Sequence, residues 1–361
     1  FRGLIKLLLY LHIPFCDSKC NYCAFNSYVG LYNLKQSYMD ALYKQLKYEL
    51  ENNNIKKLES VFIGGGTPSC VDTKYYKPIF DLLKDYIDDS IEITTEANPN
   101  SATFEWLQNM YAYGVNRVSF GVQSFDNEKL EFLARNHNKN HAIDAVMNAQ
   151  KIGFERINCD IIYDTFVDTK ALINNDLEVI KTLPIDHISV YSLTLEEGTK
   201  FYNKSEVKVE DEDMARHIFE KLTDFGFKQY EISNFAKDKN SQCKHNIGYW
   251  KYENYLGIGS GAVGCFDNKR TYTNKDVQKY IVNPIEYESI ENLSDDDILI
   301  EKTLLGLRST IGCDLNLYNN TQLEKIKILE ENKKILIKDF RFYSYDFMLA
   351  DEVSLFIVDD I

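Results

Sequence analysis

Short apolar runs alternate with longer amphipathic stretches through the first half of the chain. The runs end at glycine, proline or polar residues, as β-strands do. The stretches between them repeat apolar residues every three to four positions, which is the spacing of one buried helix face. The predicted strands are Leu4–Leu11, Leu58–Ile63, Ser90–Thr95, Val115–Val122, Arg156–Tyr163 and His187–Leu193. The predicted helices are Leu31–Leu50, Lys74–Tyr86, Ala102–Tyr113, Asn127–Asn136, His141–Ile152 and Lys170–Thr182.

This alternation predicts an α/β fold of parallel βαβ units. No G-x-G-x-x-G motif follows the first strand, which argues against a doubly wound dinucleotide-binding sheet. We therefore predict a partial (β/α)6 barrel of the TIM type, in which functional residues collect at the carboxyl ends of the strands. The unusual residues of this half all follow or close a predicted strand: a cysteine loop after the first strand, Gly64–Gly66, Glu96, Gln123 and Asp160.

The alternation stops beyond Leu195. The elements predicted next are a helix at Glu210–Phe225, a strand at Phe227–Ser233 and an added strand at Phe266–Tyr272. A small winged-helix-like unit is predicted at the end of the chain, from helices at Ser294–Leu307 and Gln322–Glu331, a β-ribbon at Lys334–Tyr345 and a last helix. The predicted domains are a part-barrel at 1–205, an extension at 206–290 and a small C-terminal domain at 291–361.

Composition narrows the class of protein. The 361 residues carry a formal net charge of -14, which disfavours nucleic acid and anionic membrane surfaces as partners. Three of the eight cysteines share one loop and the others are scattered singly, as in a reduced protein. No apolar run approaches the ~20 residues of a membrane span, and Leu4–Leu11 contains Lys6, so we predict a strand rather than a signal peptide. The expectation is a soluble cytoplasmic protein.

The cysteine loop carries the main candidate chemistry. Cys16, Cys20 and Cys23 have the spacing C-x3-C-x2-C, directly after the first strand. Three thiolates on one loop can bind an iron–sulfur cluster and leave one iron open, because such clusters usually take four protein ligands. The alternative is a zinc site completed by His12 or a distant cysteine. The cysteines alone leave both interpretations open.

Six motifs in one order distinguish these alternatives. They are Tyr10-x-His-Ile-Pro-Phe-Cys16, Gly64-Gly-Gly-Thr-Pro-Ser69, Glu96-Ala-Asn-Pro99, Ser119-Phe-Gly-Val-Gln-Ser-Phe125, Asp160-Ile-Ile-Tyr163 and His245-Asn-x-x-Tyr-Trp250. With them the chain resembles the radical S-adenosylmethionine superfamily, and within it the group of oxygen-independent coproporphyrinogen III oxidases and HemW-type haem chaperones. The resemblance runs from Tyr10 to the last helix and favours the cluster over zinc.

The resemblance implies a 4Fe-4S cluster on the three cysteines, with S-adenosylmethionine chelating the open iron. An electron from a donor such as flavodoxin or ferredoxin then cleaves the sulfonium to methionine and a 5'-deoxyadenosyl radical. The cofactors supply this chemistry, and the protein positions them and excludes water.

The strand-end residues have a structural and a functional interpretation each. Gly65, Gly66 and Thr67 form either an ordinary turn that needs a positive φ or a backbone surface for the methionine moiety. Glu96 is either a solvated strand end or an acceptor for the cofactor's amino or ribose groups. The resemblance favours the second interpretation for all four residues.

The other candidate residues also have more than one possible role. Gln123 suits ribose hydroxyls or substrate, and Arg135 is either a surface charge or a clamp for a carboxylate. Asp160 is expected to close the fifth strand and hold a ribose diol, and Tyr22 to lie near the adenine. Tyr10, with His12, either packs on the first strand or touches cofactor. The family usually follows D-x-I-Y with a glycine and proline turn, whereas 164–168 here contain neither residue.

Three features separate chaperone from oxidase. The oxidases carry a further cysteine two residues after the third, where this chain has Phe25, and a longer N-terminal lid than the fifteen residues before Cys16. The H-N-x-x-Y-W element at His245 matches the chaperone branch. A neutral imidazole is a good axial ligand for haem iron, and Tyr249 and Trp250 offer aromatic faces. The alternative for His245 is a buried structural role beside the glycine turn 257–264.

The sequence thus favours a radical S-adenosylmethionine haem chaperone that binds haem as cargo and passes it to haem proteins. The alternatives are a coproporphyrinogen III oxidase that forms protoporphyrinogen IX, or a radical enzyme with another substrate. The expected partners are haem, recipient haem proteins and the electron donor, with no nucleic acid. Membrane association is expected only through a partner, and a homodimer is compatible with the sequence.

Overall fold

Six parallel strands with intervening helices form the first half of the protein. The structure, a computed structural model, describes residues 7–359; residues 4–6 of the first predicted strand lie outside that range. The elements are β1 (Leu7–Ile13), α1 (Lys35–Asn52), β2 (Ser60–Gly65), α2 (Lys77–Leu83), β3 (Glu92–Ala97), α3 (Phe104–Ala112), β4 (Arg117–Gln123), α4 (Asn127–Phe132), α5 (Lys139–Ile152), β5 (Arg156–Tyr163), α6 (Lys170–Thr182) and β6 (His187–Ser192).

Strands β1 to β6 pair in parallel in chain order. Alternate apolar side chains of these strands, such as Leu9, Val61 and Val118, are buried against the helices, and the residues between them point to the inner face of the sheet. The predicted α/β part-barrel is therefore confirmed. One detail of the prediction was wrong: Asp160 does not close β5, because β5 continues to pair with β6 as far as Tyr163 and Ser192.

The next region extends both edges of this sheet. Its elements are α7 (Glu212–Asp224), β7 (Lys228–Gln229), β8 (Asn234–Ala236), α8 (Lys244–Trp250), β9 (Asn254–Ile258), β10 (Val263–Phe266), β11 (Lys269–Thr273), α9 (Val277–Val282) and β12 (Tyr287–Asn292). Among the described residues the large sheet has the order β12-β11-β10-β9-β1-β2-β3-β4-β5-β6-β8-β7. Strand β9 pairs in parallel with β1, which covers the edge that would otherwise be open.

Two predicted strands in this region have the wrong bounds, because β7 already ends at Gln229 and β11 begins only at Lys269. Phe227–Ser233 is not one strand, because the Glu231 carboxylate accepts hydrogen bonds from Ser233 N at 2.9 Å and Asn234 Nδ2 at 2.6 Å and stabilises a turn. Phe266–Tyr272 contains a hairpin turn, since Asp267 and Asn268 both have positive φ, at 56° and 61°. Two such residues are typical of a two-residue turn between antiparallel strands.

The C-terminal unit has its own apolar core, which includes Leu307, Phe342 and Ile357. Its elements are α10 (Asp295–Leu307), β13 (Cys313–Asp314), α11 (Asn320–Glu331), β14 (Ile335–Lys338), β15 (Arg341–Ser344) and α12 (Ala350–Val358). Helix α10 begins at a capping box, in which the Ser294 hydroxyl accepts from Asp297 N. The unit has the predicted order of helices and ribbon. The domain boundaries at 205/206 and 290/291 stay predictions.

Arg308 joins the C-terminal unit to the large sheet. Its guanidinium pairs with the buried Glu231 carboxylate at 2.8 Å, and its carbonyl accepts from Ile232 N at 3.0 Å. Within residues 7–359 no helix has the length and apolar character needed to cross a membrane.

Candidate functional site

The cysteine loop follows β1 and is held at several points. Cys16 N donates to Tyr28 O at 3.0 Å and Tyr28 N to Pro14 O at 2.7 Å, which closes the loop on itself. Asn21 Nδ2 donates to Phe132 O at 2.8 Å and fixes the middle of the loop to the end of α4. The sequence therefore positions the cysteines by backbone contacts at both ends of the loop.

The three thiols line one cavity of about 740 Å³, and each of them is a free thiol. Cys16 Sγ lies 3.3 Å from Thr67 Oγ1, and Cys20 Sγ accepts from Arg135 Nη1 at 3.3 Å. Burial raises the pKa of Cys16, and the hydrogen bond with Thr67 lowers it. Among the described residues, no three histidine, cysteine or acidic side chains are arranged to hold a metal ion.

The donor set nevertheless fits an iron–sulfur cluster. Three soft thiols face one cavity from one loop, and the Arg135 guanidinium beside Cys20 provides positive charge for a thiolate-bound cluster. The His12 side chain, the alternative ligand for zinc, is not among the groups that line this cavity: its Nε2 is paired with Asn26 O at 2.8 Å. Donor chemistry thus favours the cluster over the zinc site.

The glycine turn at the end of β2 needs its glycines. Gly65 has φ +111°, and a Cβ there would lie 2.5 Å from the His12 ring. A Cβ on Gly66 would lie 2.9 Å from Ile13 O and 3.1 Å from Cys16 Sγ. The turn therefore satisfies both interpretations of the motif: it requires a positive φ, and it brings bare backbone beside the first cysteine.

Glu96 lies at the end of β3, where its Oε2 accepts from Gly65 N at 3.0 Å. Burial, together with the charge of Asp160, raises its pKa to about 8. Burial also raises the pKa of Asp160, which accepts from Asn158 Nδ2 at 2.8 Å and Ser119 Oγ at 3.3 Å. Near neutral pH Glu96 is thus mainly a neutral carboxyl group that can donate as well as accept.

Gln123 and Arg135 meet at the end of β4. Gln123 has φ +67°, a left-handed conformation that is uncommon for a residue with a side chain. Arg135 Nη2 donates to Asn98 Oδ1 at 2.6 Å and to Gly121 O at 2.5 Å. A Cβ on Gly121 would lie 3.2 Å from that nitrogen, so glycine allows the close approach. Arg135 is thus already engaged with protein acceptors.

The structure brings most predicted site residues to this one space, which we call the cysteine cavity. Its predicted members are Cys16, Cys20, Tyr22, Cys23, Gly65, Gly66, Thr67, Glu96, Gln123, Arg135 and Asp160. Tyr10 and His245 lie instead along a second cavity. Sequence reasoning missed Asn98, which holds Arg135, and Arg117, which lines the cysteine cavity. Arg117 precedes Ser119, Gly121 and Gln123 at every second position of β4, a pattern that places all four on one face.

The second cavity, of about 1290 Å³, we call the aromatic cavity. It lies between β1, α8, the β9–β10 strands and α10, and the aromatic side chains among its lining residues are Tyr10, Phe25, Phe62, Tyr191, Tyr249, Trp250, Tyr252 and Tyr255. Tyr10 stacks on Phe62 with ring centroids 6.2 Å apart, and its hydroxyl bonds to His12 Nδ1 at 2.9 Å. Such a lining suits a large flat ligand.

His245 is 1% exposed at the wall of the aromatic cavity. Its Nδ1 is bonded to Ser60 Oγ at 2.8 Å and its Nε2 to the Tyr249 hydroxyl at 3.0 Å. Its backbone N donates to Glu92 Oε1 at 2.9 Å, and burial lowers the pKa of the imidazole to about 3. The ring is neutral and both nitrogens are engaged, so binding of iron by His245, which stays a prediction, requires Tyr249 to move away.

Phe25 forms part of the wall between the two cavities. It is 67% exposed and lines both of them, as do Phe62 and Tyr191. The residue that separates this chain from the oxidases by sequence thus lies where the two cavities meet.

The loop after β5 replaces a glycine turn with a side-chain network. Asp164 has φ +63°, a conformation that glycine adopts without strain. Its carboxylate accepts from Ser192 Oγ at 2.6 Å and Asp211 N at 3.3 Å. Asp168 pairs with the buried Lys129 at 2.6 Å. These contacts explain how residues 164–168 hold the turn without the usual glycine and proline.

Comparison with known proteins places this geometry in a family. A model of the radical SAM superfamily matches residues 10–171. The heme chaperone HemW of Bacillus subtilis is 33% identical over 84% of this chain and 83% of its own. The HemW of Lactococcus lactis is 33% identical over 98% of this chain and 97% of its own. Mouse radical S-adenosyl methionine domain-containing protein 1, mitochondrial, is 31% identical over 90% of this chain and 72% of its own.

A solved structure confirms the fold. Coproporphyrinogen III oxidase (HemN) from Escherichia coli superposes with a TM-score of 0.84, covering 99% of this chain and 91% of its own, at 20% sequence identity. At that identity the likeness concerns architecture alone. From its sequence identity to the HemW relatives over most of both chains, this protein belongs to the HemW heme chaperone family of the radical SAM superfamily.

Proposed function

We propose that this protein is a haem chaperone that binds haem in the aromatic cavity and delivers it to haem proteins. The observation that supports this most directly is the cavity itself, which is larger than the roughly 300–1,000 Å³ usual for small-molecule sites and lined by aromatic rings. The relatives named heme chaperone HemW point to the same cargo.

The lining also offers groups for the polar edge of a porphyrin. Lys302 and Arg308 lie along the cavity, and Arg270 is held there by a 2.6 Å ion pair with Glu301. Guanidinium and ammonium groups are suited to propionate carboxylates. His245 is the proposed axial ligand, and release of Tyr249 from its Nε2 is part of that proposal.

In the cysteine cavity we propose that Cys16, Cys20 and Cys23 hold a 4Fe-4S cluster. When bound, the cluster and S-adenosylmethionine supply the one-electron cleavage of the sulfonium. The chain's own residues orient the cofactor: the glycine turn with Thr67 presents backbone, Glu96 offers a mainly neutral carboxyl group, and the walls restrict water. Tyr22, Gln123 and Asp160 complete the proposed cofactor contacts, and an electron donor such as flavodoxin or ferredoxin is the proposed reductant.

One experiment separates the proposed function from the oxidase. The protein is reconstituted anaerobically with iron and sulfide, and haem titration is run beside coproporphyrinogen III turnover with reductant and S-adenosylmethionine. We expect a Soret shift with haem and no vinyl products. Appearance of protoporphyrinogen IX without haem uptake would assign the protein to the oxidases instead.

His245→Ala tests the proposed ligand. We expect weaker haem binding and a changed Soret maximum, because the axial imidazole is lost. His137→Ala is a matched control, since His137 is also buried, has a pKa lowered to about 3 by burial, and bonds to Val122 O at 2.9 Å on β4 rather than beside the aromatic cavity. An unchanged spectrum in His245→Ala would remove His245 from the haem site.

A further inference from the structure

Helix α8, which carries His245, is capped by a side chain from a distant strand. Its own N-cap residue, Cys243, makes no capping side-chain hydrogen bond within the described range 7–359. Glu92, the first residue of β3, takes that place: its Oε2 accepts from Lys244 N and its Oε1 from His245 N, both at 2.9 Å. Glu92 is 1% exposed. The first turn of α8 is therefore positioned by the barrel, because its free N–H groups bond to β3.

Arg156 fixes the Glu92 carboxylate and the chain that leads into α8. This residue is the first of β5; its Nη1 pairs with Glu92 Oε2 at 2.6 Å and its Nη2 donates to Gln242 O at 2.7 Å. Burial alone would raise the pKa of Glu92, but the charges of Arg156 and Arg117, with the two backbone hydrogen bonds, hold it below its ordinary value. Glu92 is thus an anion that accepts from all of these donors.

Ser60 holds the imidazole ring of the same histidine. It lies opposite Glu92 in the β2–β3 ladder and is 1% exposed, and its Oγ is bonded to His245 Nδ1 at 2.8 Å. Phe62, two residues further along β2, lies with its ring centroid 5.1 Å from that of the imidazole. One rung of the sheet therefore contacts His245 twice, at its backbone N–H and at its ring.

The Ser60 contact also bears on which ring nitrogen can bind iron. The imidazole is neutral, because burial lowers its pKa to about 3, and a neutral imidazole has one N–H and one lone pair. Iron can bind at Nε2 only when the proton is on Nδ1, where Ser60 Oγ accepts it. Tyr249 has to leave Nε2 for iron to bind, whereas Ser60 can stay in place. Ser60 then keeps the ring oriented when the Tyr249 hydrogen bond is lost.

We propose that Ser60 and Glu92 are positioning residues that orient His245 toward haem iron. Glu92 fixes the backbone at His245, and Ser60 fixes the ring with its Nε2 lone pair toward the cavity side. Neither residue is among the described residues that line the aromatic cavity, so both act through His245. This inference rests on the proposed function, because it needs haem as cargo and His245 as its ligand.

Ser60→Ala tests the contact with the ring. In titrations of the full chain with ferric haem we expect binding to weaken by roughly 10- to 100-fold, as is usual when the partner of a metal-binding histidine is lost. The Soret maximum and the low-spin EPR signals should change as well, and Ser60→Thr, which keeps the hydroxyl, should restore them. Wild-type affinity and spectra in Ser60→Ala would overturn the proposal.

Ser124→Ala is the matched control for that variant. Ser124 is 0% exposed, its hydroxyl donates to Asp176 Oδ2 at 2.6 Å, and among the described residues it lines neither cavity. Its removal should leave haem affinity and spectra as in wild type. Equal loss of haem affinity in Ser60→Ala and Ser124→Ala would make the effect one of general stability and overturn the role of Ser60.

Glu92→Gln tests the contact with the backbone. The amide keeps one acceptor oxygen but loses the ion pair with Arg156, so we expect a lower melting temperature together with changed Soret and EPR signals. Asp176→Asn is the control, since Asp176 is 3% exposed and its Oδ1 accepts from Phe125 N at 2.8 Å, away from both cavities. It should lower the melting temperature without changing the spectra. Wild-type spectra in Glu92→Gln would make Glu92 structural alone and overturn its part in the proposal.

His245→Ala distinguishes failure of this inference from failure of the proposed function. If wild type binds no haem, or binds it with the same spectrum as His245→Ala, the proposed ligand and the positioning roles fail together. If His245→Ala changes the spectrum while Ser60→Ala and Glu92→Gln match wild type, the inference alone fails. Should Glu92→Gln not fold, the Ser60 variants decide, because Ser60→Ala removes only a hydroxyl.

Discussion

The cysteine cavity and the aromatic cavity share a wall but are built in different ways. The cysteine cavity is lined by residues from consecutive βα units, with polar groups that each strand or following loop adds in turn. The aromatic cavity combines β1 and β2 with α8, β9, β10 and α10, segments that are distant in the chain. A repeated unit can be recognised from its spacing, whereas a cavity between distant segments has no local signature. The two cavities therefore differ in how far sequence alone can reveal them.

The largest expected effect comes from removing the cysteine ligands. Cys16→Ala, Cys20→Ala or Cys23→Ala should reduce bound iron and S-adenosylmethionine cleavage to background after anaerobic reconstitution, because three thiols are the full protein ligand set proposed. Haem titration should be unchanged if the cavities act separately. Iron analysis and haem titration on the same samples measure both.

Cys70→Ala is the control for that series, since Cys70 is a free cysteine near the glycine turn that does not line the cysteine cavity. Loss of haem uptake in step with loss of iron would contradict the separation of the two cavities.

Phe25→Ala tests the shared wall. Removing an aromatic side chain that haem would cover should cost about 1.5–3 kcal/mol, or roughly 10- to 150-fold in haem affinity. Phe166→Ala is a matched control, because Phe166 is 66% exposed, against 67% for Phe25, and lines neither cavity. Equal haem affinities of the two variants would remove Phe25 from the site.

The raised pKa of Glu96, in the cysteine cavity, predicts a pH dependence of the stability of the protein. In the unfolded chain its carboxyl ionises near its ordinary pKa of 4.5, whereas the folded protein holds the proton to about 8. Between these values the folded state binds more protons, so this group makes the free energy of unfolding fall as pH rises. The melting temperature of the ligand-free protein should fall less with rising pH in Glu96→Gln than in wild type. Identical slopes in Glu96→Gln and in the exposed control Glu105→Gln would contradict the raised pKa.

The smallest effect is expected from Tyr249→Phe. It removes the hydrogen bond to His245 Nε2 and should lower the free energy of unfolding by about 0.5–1.5 kcal/mol. Haem affinity should rise by up to roughly tenfold, because the imidazole no longer has to release the hydroxyl. Tyr255→Phe, whose ring packs 4.7 Å from that of Tyr249, is the control. A fall in affinity confined to Tyr249→Phe would instead make its hydroxyl a haem contact.

The same contrast explains what could be predicted from sequence. Both β5 and α6 begin and end at the predicted residues, since a buried apolar run and an amphipathic period define them locally. The split at Glu231 could not be predicted, because a side-chain carboxylate rather than the apolar pattern forms that turn. Strand β9 was missed for a related reason: its pairing with β1 joins residues such as Leu7 and Asn254, which no local pattern connects.

The site residues also differ in how far they could be predicted from sequence. The residues of the cysteine cavity lie on or just after consecutive strands. The order of their motifs in the sequence therefore already indicates that they meet in the structure. Arg117 was missed because it is the first residue of β4, whereas the motifs that identified the other residues lie at the carboxyl ends of the strands. For His245 the sequence suggested two roles, and only the structure shows that both ring nitrogens are engaged.

The β1–β9 pairing also has a consequence for synthesis and maturation. Asn26 Nδ2 donates to Ser260 O at 3.0 Å, and the Tyr28 hydroxyl donates to Lys275 O at 2.8 Å. A nascent chain therefore leaves the apolar edge of β1 unpaired until residues near 254 emerge from the ribosome, and an exposed edge of this kind favours aggregation. Before residue 275 has been synthesised, the cysteine loop lacks its hydrogen bonds to Ser260 and Lys275. We therefore expect the cluster to be inserted after translation is complete.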